Sequence, residues 1–182
     1  MVNGSRWWGE TKKGEGSKEE NPKSKIPNPN HQSPATNHQP PPTVFLREFD
    51  LAADYDAVVA LWRTSWPGVK VGRSDTPAEL AKKLQRDPDL FLVAEIAGRI
   101  VGTVIGGFDG RRGLVYHLAV APEQRGQGLG AALMTELETR LKTKGCVRCY
   151  LLVAPDNFGV TGFYRRLGWE EMPVRIMAKD LV

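Results

Sequence analysis

Three glycines beside an arginine mark the place in this chain best suited to hold a phosphate. Arg125-Gly126-Gln127-Gly128-Leu129-Gly130 joins an apolar strand, Leu114–Val120, to an amphipathic helix that runs to about Lys142. The first amides of a helix have no intrahelical partner and carry partial positive charge, so a helix start bare of side chains suits a pyrophosphate. A P-loop is excluded because no Gly-Lys-Ser/Thr triplet follows these glycines. Gly126-x-Gly128-x-x-Ala131 matches the relaxed dinucleotide fingerprint, with Asp156 as its ribose acid. However, a dinucleotide turn follows its strand directly, and Ala121–Arg125 intervenes here. Glycines that simply let helix and strand pack closely are the competing explanation, and the loop alone leaves the two level.

Cys146 and Cys149 form a C-x-x-C. The segment Val147–Val153 reads as a strand, where a spacing of three places two thiols on opposite faces. A redox C-x-x-C opens a helix instead, and no second Cys/His pair completes a zinc site. The expectation is packed, reduced thiols and no metal.

Several elements must position these residues. Val44–Phe49 is a strand, and Asp50 caps a helix through about Trp62 with Leu51, Tyr55, Val58, Val59 and Trp62 facing inward. A loop from Thr64 to Asp75 contains Trp66-Pro67-Gly68. Thr76-Pro77-Ala78-Glu79 then combines a capping box with proline at the first helical position, opening a helix to about Gln85. Leu90–Ile96, Ile100–Phe108 and Leu114–Val120 are strands joined by tight turns, an antiparallel meander whose long apolar runs imply cover on both faces. Leu129, Leu133, Leu137 and Leu141 stripe the central helix, and Lys144-Gly145 ends it. The strand Val147–Val153, a helix over about Asn157–Leu167, and two short strands around Trp169–Met172 and Val174–Leu181 complete the chain.

Composition divides the 182 residues in two. Met1–Pro42 holds seven of the 13 prolines and little apolar surface, and is expected to be a disordered tail ahead of one domain at 43–182. The tail carries six Lys+Arg against four Asp+Glu, leaving 19 against 17 in the domain with the signs interspersed. That balance gives no nucleic-acid footprint. No signal-peptide core and no membrane-length apolar run occur, so a cytoplasmic protein without a membrane partner is expected.

Taken together, the strand HLAV (His117–Val120), the loop QRGQGLG, a strand ending near Val153, Asn157 and FYRRLGW (Phe163–Trp169) resemble a GNAT-superfamily N-acetyltransferase. In motifs and order the chain is similar to the RimI-like and YpeA-like bacterial members, and the likeness covers residues 43–182. It implies an α/β (α+β) GNAT acyl-CoA N-acyltransferase fold, with a mixed, mostly antiparallel central sheet flanked by about four helices. It also implies transfer of acetyl from acetyl-CoA to a primary amine, of a small molecule or a protein, by direct attack in a ternary complex. Under that resemblance Leu118, Ala119 and Val120 offer backbone groups to the pantetheine arm and thioester carbonyl. Arg125, Gly126, Gln127, Gly128, Leu129 and Gly130 cradle the pyrophosphate, Asn157 hydrogen-bonds the cofactor arm, and Tyr164 protonates the departing thiolate. No metal is involved, and the protein is a monomer or homodimer.

The RimI-like pattern places a glutamate base on the strand after the central helix, where this chain has Leu152. His117, the one histidine of residues 43–182, lies on the strand nearest the thioester and is a candidate base, because imidazole exchanges protons near neutrality. Packing or hydrogen bonding is the other explanation for it; Glu95, Asp75 and a water chain are further candidates. Trp66 is expected to line the acceptor groove and Asp75 to face the acceptor ammonium. Tyr164 as a core tyrosine and Asn157 as a helix cap are the plainer alternatives. For the whole chain, the alternatives are a GNAT-fold acyl-CoA-binding module without turnover and a nucleotide-binding protein using the glycine loop.

Overall fold

A computed structural model of the chain describes residues 43–65 and 67–181. The expectation for Met1–Pro42 therefore lies outside the described residues, as does that for Trp66.

Local chemistry starts the first two helices where the sequence predicts. Helix α1 (Leu51–Thr64) opens on Asp50, whose carboxylate accepts from the amides of Ala52 and Ala53, both at 2.9 Å. Helix α2 (Pro77–Arg86) has Thr76 as cap, accepting from Glu79 N, with proline in its first turn. Helix α3 spans Leu129–Thr143 and α4 Thr161–Arg166.

Strands β1 (Val44–Glu48), β2 (Phe91–Ile96), β3 (Arg99–Phe108), β4 (Gly113–Val120) and β5 (Cys149–Leu151) form one sheet in that order. Every pairing is antiparallel except β4 with β5, which the α3 crossover makes parallel. The sheet is covered on both faces, which is why β2 and β3 read as unbroken apolar runs. On one face Gly102 and Gly106 admit α3: a Cβ at Gly106 would stand 2.5 Å from Leu137, and at Gly102 2.9 Å from Leu133. Thr103 points to the other face and meets Trp62 of α1. Phe49 and Phe91 stack at 4.0 Å, with Trp62 at 6.0 Å from Phe91, in the centre of that layer.

An ion cluster ties β1 to α1. The Arg47 guanidinium donates to both oxygens of Asp54, at 2.6 and 2.9 Å, and to Glu95 at 3.0 Å. Asp54 is buried, and the Arg47 hydrogen bond holds its carboxyl below the usual carboxylate range against the opposing effect of burial.

Four expectations are corrected. First, β5 pairs over Cys149–Leu151 only, shorter than Val147–Val153. Second, the last helix is split: a 3₁₀ turn over Pro155–Val160, with Asn157 at non-helical φ −121°, precedes the six-residue α4. Proline at 155 and glycine at 159 and 162 are poor interior helix formers. Third, Trp169–Met172 and Val174–Leu181 contain no strand among the described residues. Val174 N instead donates to Met172 O at 2.9 Å, a three-residue turn about Pro173, which has no N–H to give a ladder. Fourth, the two thiols do not lie on opposite faces. A Cβ on Gly113 would stand 2.7 Å from Cys149 Sγ and 3.1 Å from Cys146 Sγ, so both converge on one glycine. Cys146 precedes the strand, where alternation no longer applies. Both are free thiols, and burial, with Cys146 alongside, pushes the Cys149 thiol up to about 11.

Candidate functional site

The site grows from an irregularity in β4. Thr103 pairs with Ala119 and Ile105 with Tyr116, so three steps along β4 match two along β3. One extra residue is therefore bulged out at His117–Leu118. His117 takes φ +47°, a left-handed conformation that histidine tolerates better than most side chains but that still costs about 1–3 kcal/mol. Buried neighbours hold it there. Trp62 Nε1–H donates to Thr103 Oγ1 at 2.9 Å, and the Thr103 hydroxyl donates to the His117 carbonyl at 3.3 Å. The rings of Trp62 and His117 meet edge to face, centroids 4.6 Å apart.

The His117 side chain reaches Asp75. Nε2 lies 2.8 Å from Asp75 Oδ1, and Asp75 is only 5% exposed. The other carboxylate oxygen accepts the Gly72 amide at 2.7 Å, while Tyr55 OH donates to the Asp75 carbonyl at 3.2 Å. Both Asp75 oxygens are thus engaged within the chain.

Beyond Val115 the β5 pairing stops, and among the described residues one edge of β4 from Tyr116 to Val120 has no strand partner on the β5 side. Leu118 and Ala119 are largely covered by side-chain packing, so this edge offers backbone N–H and C=O groups. A 3₁₀ turn, Pro122–Gln124, then leads to the glycine loop. Gly126 and Gly128 have φ +76° and +84°, values that only glycine adopts without strain, and Gly128 caps α3 with no side chain over its first amides. A Cβ at either would meet nothing within 4 Å, so the loop is open outward. Arg125 Nε donates to Val120 O at 3.0 Å and Gln127 Nε2 to Glu123 O at 3.1 Å. Leu129 is buried, leaving its backbone as the part able to meet a ligand. A Cβ on Gly130 would lie 3.4 Å from the Phe163 ring, where α4 comes against α3.

Tyr164 of α4 is partly buried, its ring 5.1 Å from Phe163 and 6.3 Å from Trp169. Burial pushes its phenol up to about 12, and among the described residues the hydroxyl has no hydrogen-bond partner. The Asn157 side chain abuts the loop after α1: a Cβ on Gly68 would stand 3.3 Å from its Nδ2, and next to it Lys70 pairs with Asp156 at 3.0 Å. Asn157 does not cap α4, whose N-cap is Val160. A groove of about 1110 Å³ between β5, α4 and the second half of α3 takes in Tyr164 and Leu152, but not His117 or residues 125–130.

The acetyltransferase (GNAT) family model matches residues 55–169, which takes in the bulge, the glycine loop and α4. The chain belongs to the GNAT acetyltransferase family. An acetyltransferase of Pectobacterium atrosepticum is 40% identical over 134 residues, 71% of this chain and 90% of that protein. One of Yersinia enterocolitica is 38% identical over 135 residues, 71% of this chain and 91% of its own. Among solved structures, the PaiA N-acetyltransferase of Thermoplasma acidophilum in complex with coenzyme A has TM-score 0.64 at 20% identity, covering 73% of this chain and 93% of that one. The aminoglycoside N-acetyltransferase AAC(6')-Iy in complex with CoA has TM-score 0.59 at 19% identity over 78% and 97% of the two chains. These structures share the fold of this acetyltransferase.

Two of its site contacts carry no mark in the sequence. Trp62 reads as plain core yet braces the bulge, and Thr103 sits unremarked in an apolar run. Both act across 14 residues or more, beyond the reach of any periodicity. The pairing of His117 with Asp75 spans 42 residues, and only the two residue types hint at it. Among the described residues no helix is long and apolar enough to cross a membrane.

Proposed function

We propose that this acetyltransferase moves an acetyl group from acetyl-CoA to a primary amine by direct attack in a ternary complex. The observation that carries the reading is the open edge of β4, which runs from the bulged His117 to an outward-facing glycine loop at an uncapped helix start. Its residues fit the co-substrate. The Leu118–Val120 backbone supplies hydrogen-bonding groups for an amide-rich pantetheine arm and for the thioester carbonyl. The amides of Gly126–Gly130, with the Arg125 guanidinium, suit two phosphates. To Asn157 we assign a hydrogen bond to the arm.

Acyl transfer to an amine places charge on the carbonyl oxygen, and backbone amides aimed at it lower the barrier. Tyr164, with its phenol pushed up to about 12, stays protonated throughout the neutral range and so is a proton donor to the leaving thiolate. His117 is the base that takes the amine proton, a role the RimI-like pattern gives to a glutamate where this chain has the exposed Leu152. Trp66 and Asp75 fall in sequence between α1 and α2, and to them we assign contact with the acceptor. The acceptor is a small-molecule or protein amine, and the enzyme works in the cytoplasm, without a metal, as a monomer or homodimer.

Calorimetric titration of the full chain with acetyl-CoA, with CoA, ADP and NAD as controls, tests the cofactor, and a free-thiol assay over an amine panel then tests turnover. Binding of both CoA species, with ADP and NAD weak, is expected. ADP binding more tightly than CoA overturns the reading.

A further inference from the structure

His117 keeps one ring nitrogen for the protein and leaves the other open. Its side chain is 20% exposed, but Nε2 is committed at 2.8 Å to Asp75 Oδ1. The Asp75 carboxylate is nearly buried, and its other oxygen is held by the Gly72 amide. An ionised carboxylate only accepts hydrogen bonds, so the proton of a neutral imidazole belongs on Nε2 and the lone pair on Nδ1. Nδ1 has no hydrogen-bond partner among the described residues. The ring cannot readily turn over to exchange the two. The edge-to-face contact with Trp62 fixes its plane, and the Trp62–Thr103–His117 hydrogen bonds fix its backbone in the bulge.

We infer that Asp75 is a positioning residue that holds His117 as the Nε2–H tautomer, so that Nδ1 is the atom that accepts the amine proton. The inference rests on His117 acting as the base in the function proposed above, and it sharpens the part of Asp75 from an acceptor counter-charge to a fixed partner of the base. The amine lone pair forms the C–N bond while the carbonyl π pair moves to oxygen, and the amine proton passes to Nδ1, directly or through one water. His117 is then an imidazolium, its charge facing the Asp75 carboxylate. The oxygen pair restores C=O, the C–S bond breaks, and sulfur leaves with that pair and takes the Tyr164 proton. The phenolate regains a proton from the imidazolium through solvent, returning both groups to their starting states.

Imidazole ¹⁵N–¹H correlation spectra of the full chain test this directly, because the two neutral tautomers give distinct nitrogen shifts. The chain has three histidines, His31, His38 and His117, and loss of one signal set in His117→Gln assigns the third. The expected wild-type spectrum shows neutral His117 protonated on Nε2. Neutral His117 protonated on Nδ1 overturns the inference without any Asp75 variant. Asp75→Asn, which offers an amide donor in place of the carboxylate, is expected to shift the His117 tautomer and lower kcat about 100-fold or more, with acetyl-CoA affinity unchanged. If His117→Gln loses activity while Asp75→Asn keeps both tautomer and rate, Asp75 is only structural and the inference falls. If His117→Gln itself turns over at the wild-type rate, the base assignment falls, and with it the role given to Nδ1.

Discussion

The two proposed proton-handling groups sit in regions of opposite character. Every buried residue of the described chain lies between Phe49 and Leu141; from Lys142 to Leu181 none is buried. His117 belongs to the first region, where helices on both faces of four antiparallel strands over-determine each position. Tyr164 belongs to the second, where a three-residue strand, a six-residue helix and an exposed C-terminal segment meet. There Val174, Ile176, Met177 and Leu181 are all exposed. The contrast teaches how a strained backbone can persist. A left-handed histidine needs neighbours that cannot yield, and Trp62 and Thr103, both fully buried, are of that kind. A phenol that only donates a proton needs no such bracing: an ordinary tyrosine is already protonated at neutral pH, and partial burial moves Tyr164 further the same way.

Tyr164→Phe should lower kcat by about 10²–10⁴-fold while acetyl-CoA affinity is nearly kept, because it removes a proton donor and little else. Single-turnover rates and titration together check this, and an unchanged rate removes Tyr164 from the mechanism. Next, Leu133→Ala should cost about 2–5 kcal/mol in urea unfolding, since Leu133 fills the space over Gly102 where α3 meets the sheet.

Asp54→Asn tests the rigid region electrostatically. It should cost about 2 kcal/mol at pH 7, a figure kept modest because Arg47 is partly exposed and retains Glu95. The sign follows from the depressed folded pKa of Asp54. Its contribution is complete above the unfolded carboxylate pKa, about 3.9, and is lost as pH falls through the lower folded value. Wild type and variant should therefore begin to converge as pH falls below about 4 and meet below the folded value, as urea midpoints across pH would show. The smallest effect is expected in the other region, where Ile176→Ala should change stability by no more than about 0.5 kcal/mol. A loss comparable to that of Leu133→Ala would mean that the C-terminal segment is packed after all.

Much of this was legible in the sequence. Caps, glycine turns and apolar stripes placed four helices and five strands, since each depends on residues within a few positions of one another. Asp50 caps its own helix, Thr76-Pro77 starts the next, and Gly126 and Gly128 adopt the backbone conformation that no other residue takes as readily. The GNAT motifs and the phosphate-type loop are local in the same sense. The final segment alternates at Val174 and Ile176 as a strand would, yet the Val174 amide turns back to the Met172 carbonyl and no strand forms there among the described residues.

What the tertiary structure alone decided lies across long separations. Asp75 meets His117 over 42 residues, Trp62 meets Thr103 over 41, and Cys146 joins Cys149 above Gly113. A single bulged residue in β4 sets where the His117 ring points, because one extra residue in a strand of period two turns every later side chain to the other face. No local pattern records that insertion; it arises where buried groups from α1, β3 and the loop before α2 are packed together and must all be satisfied at once.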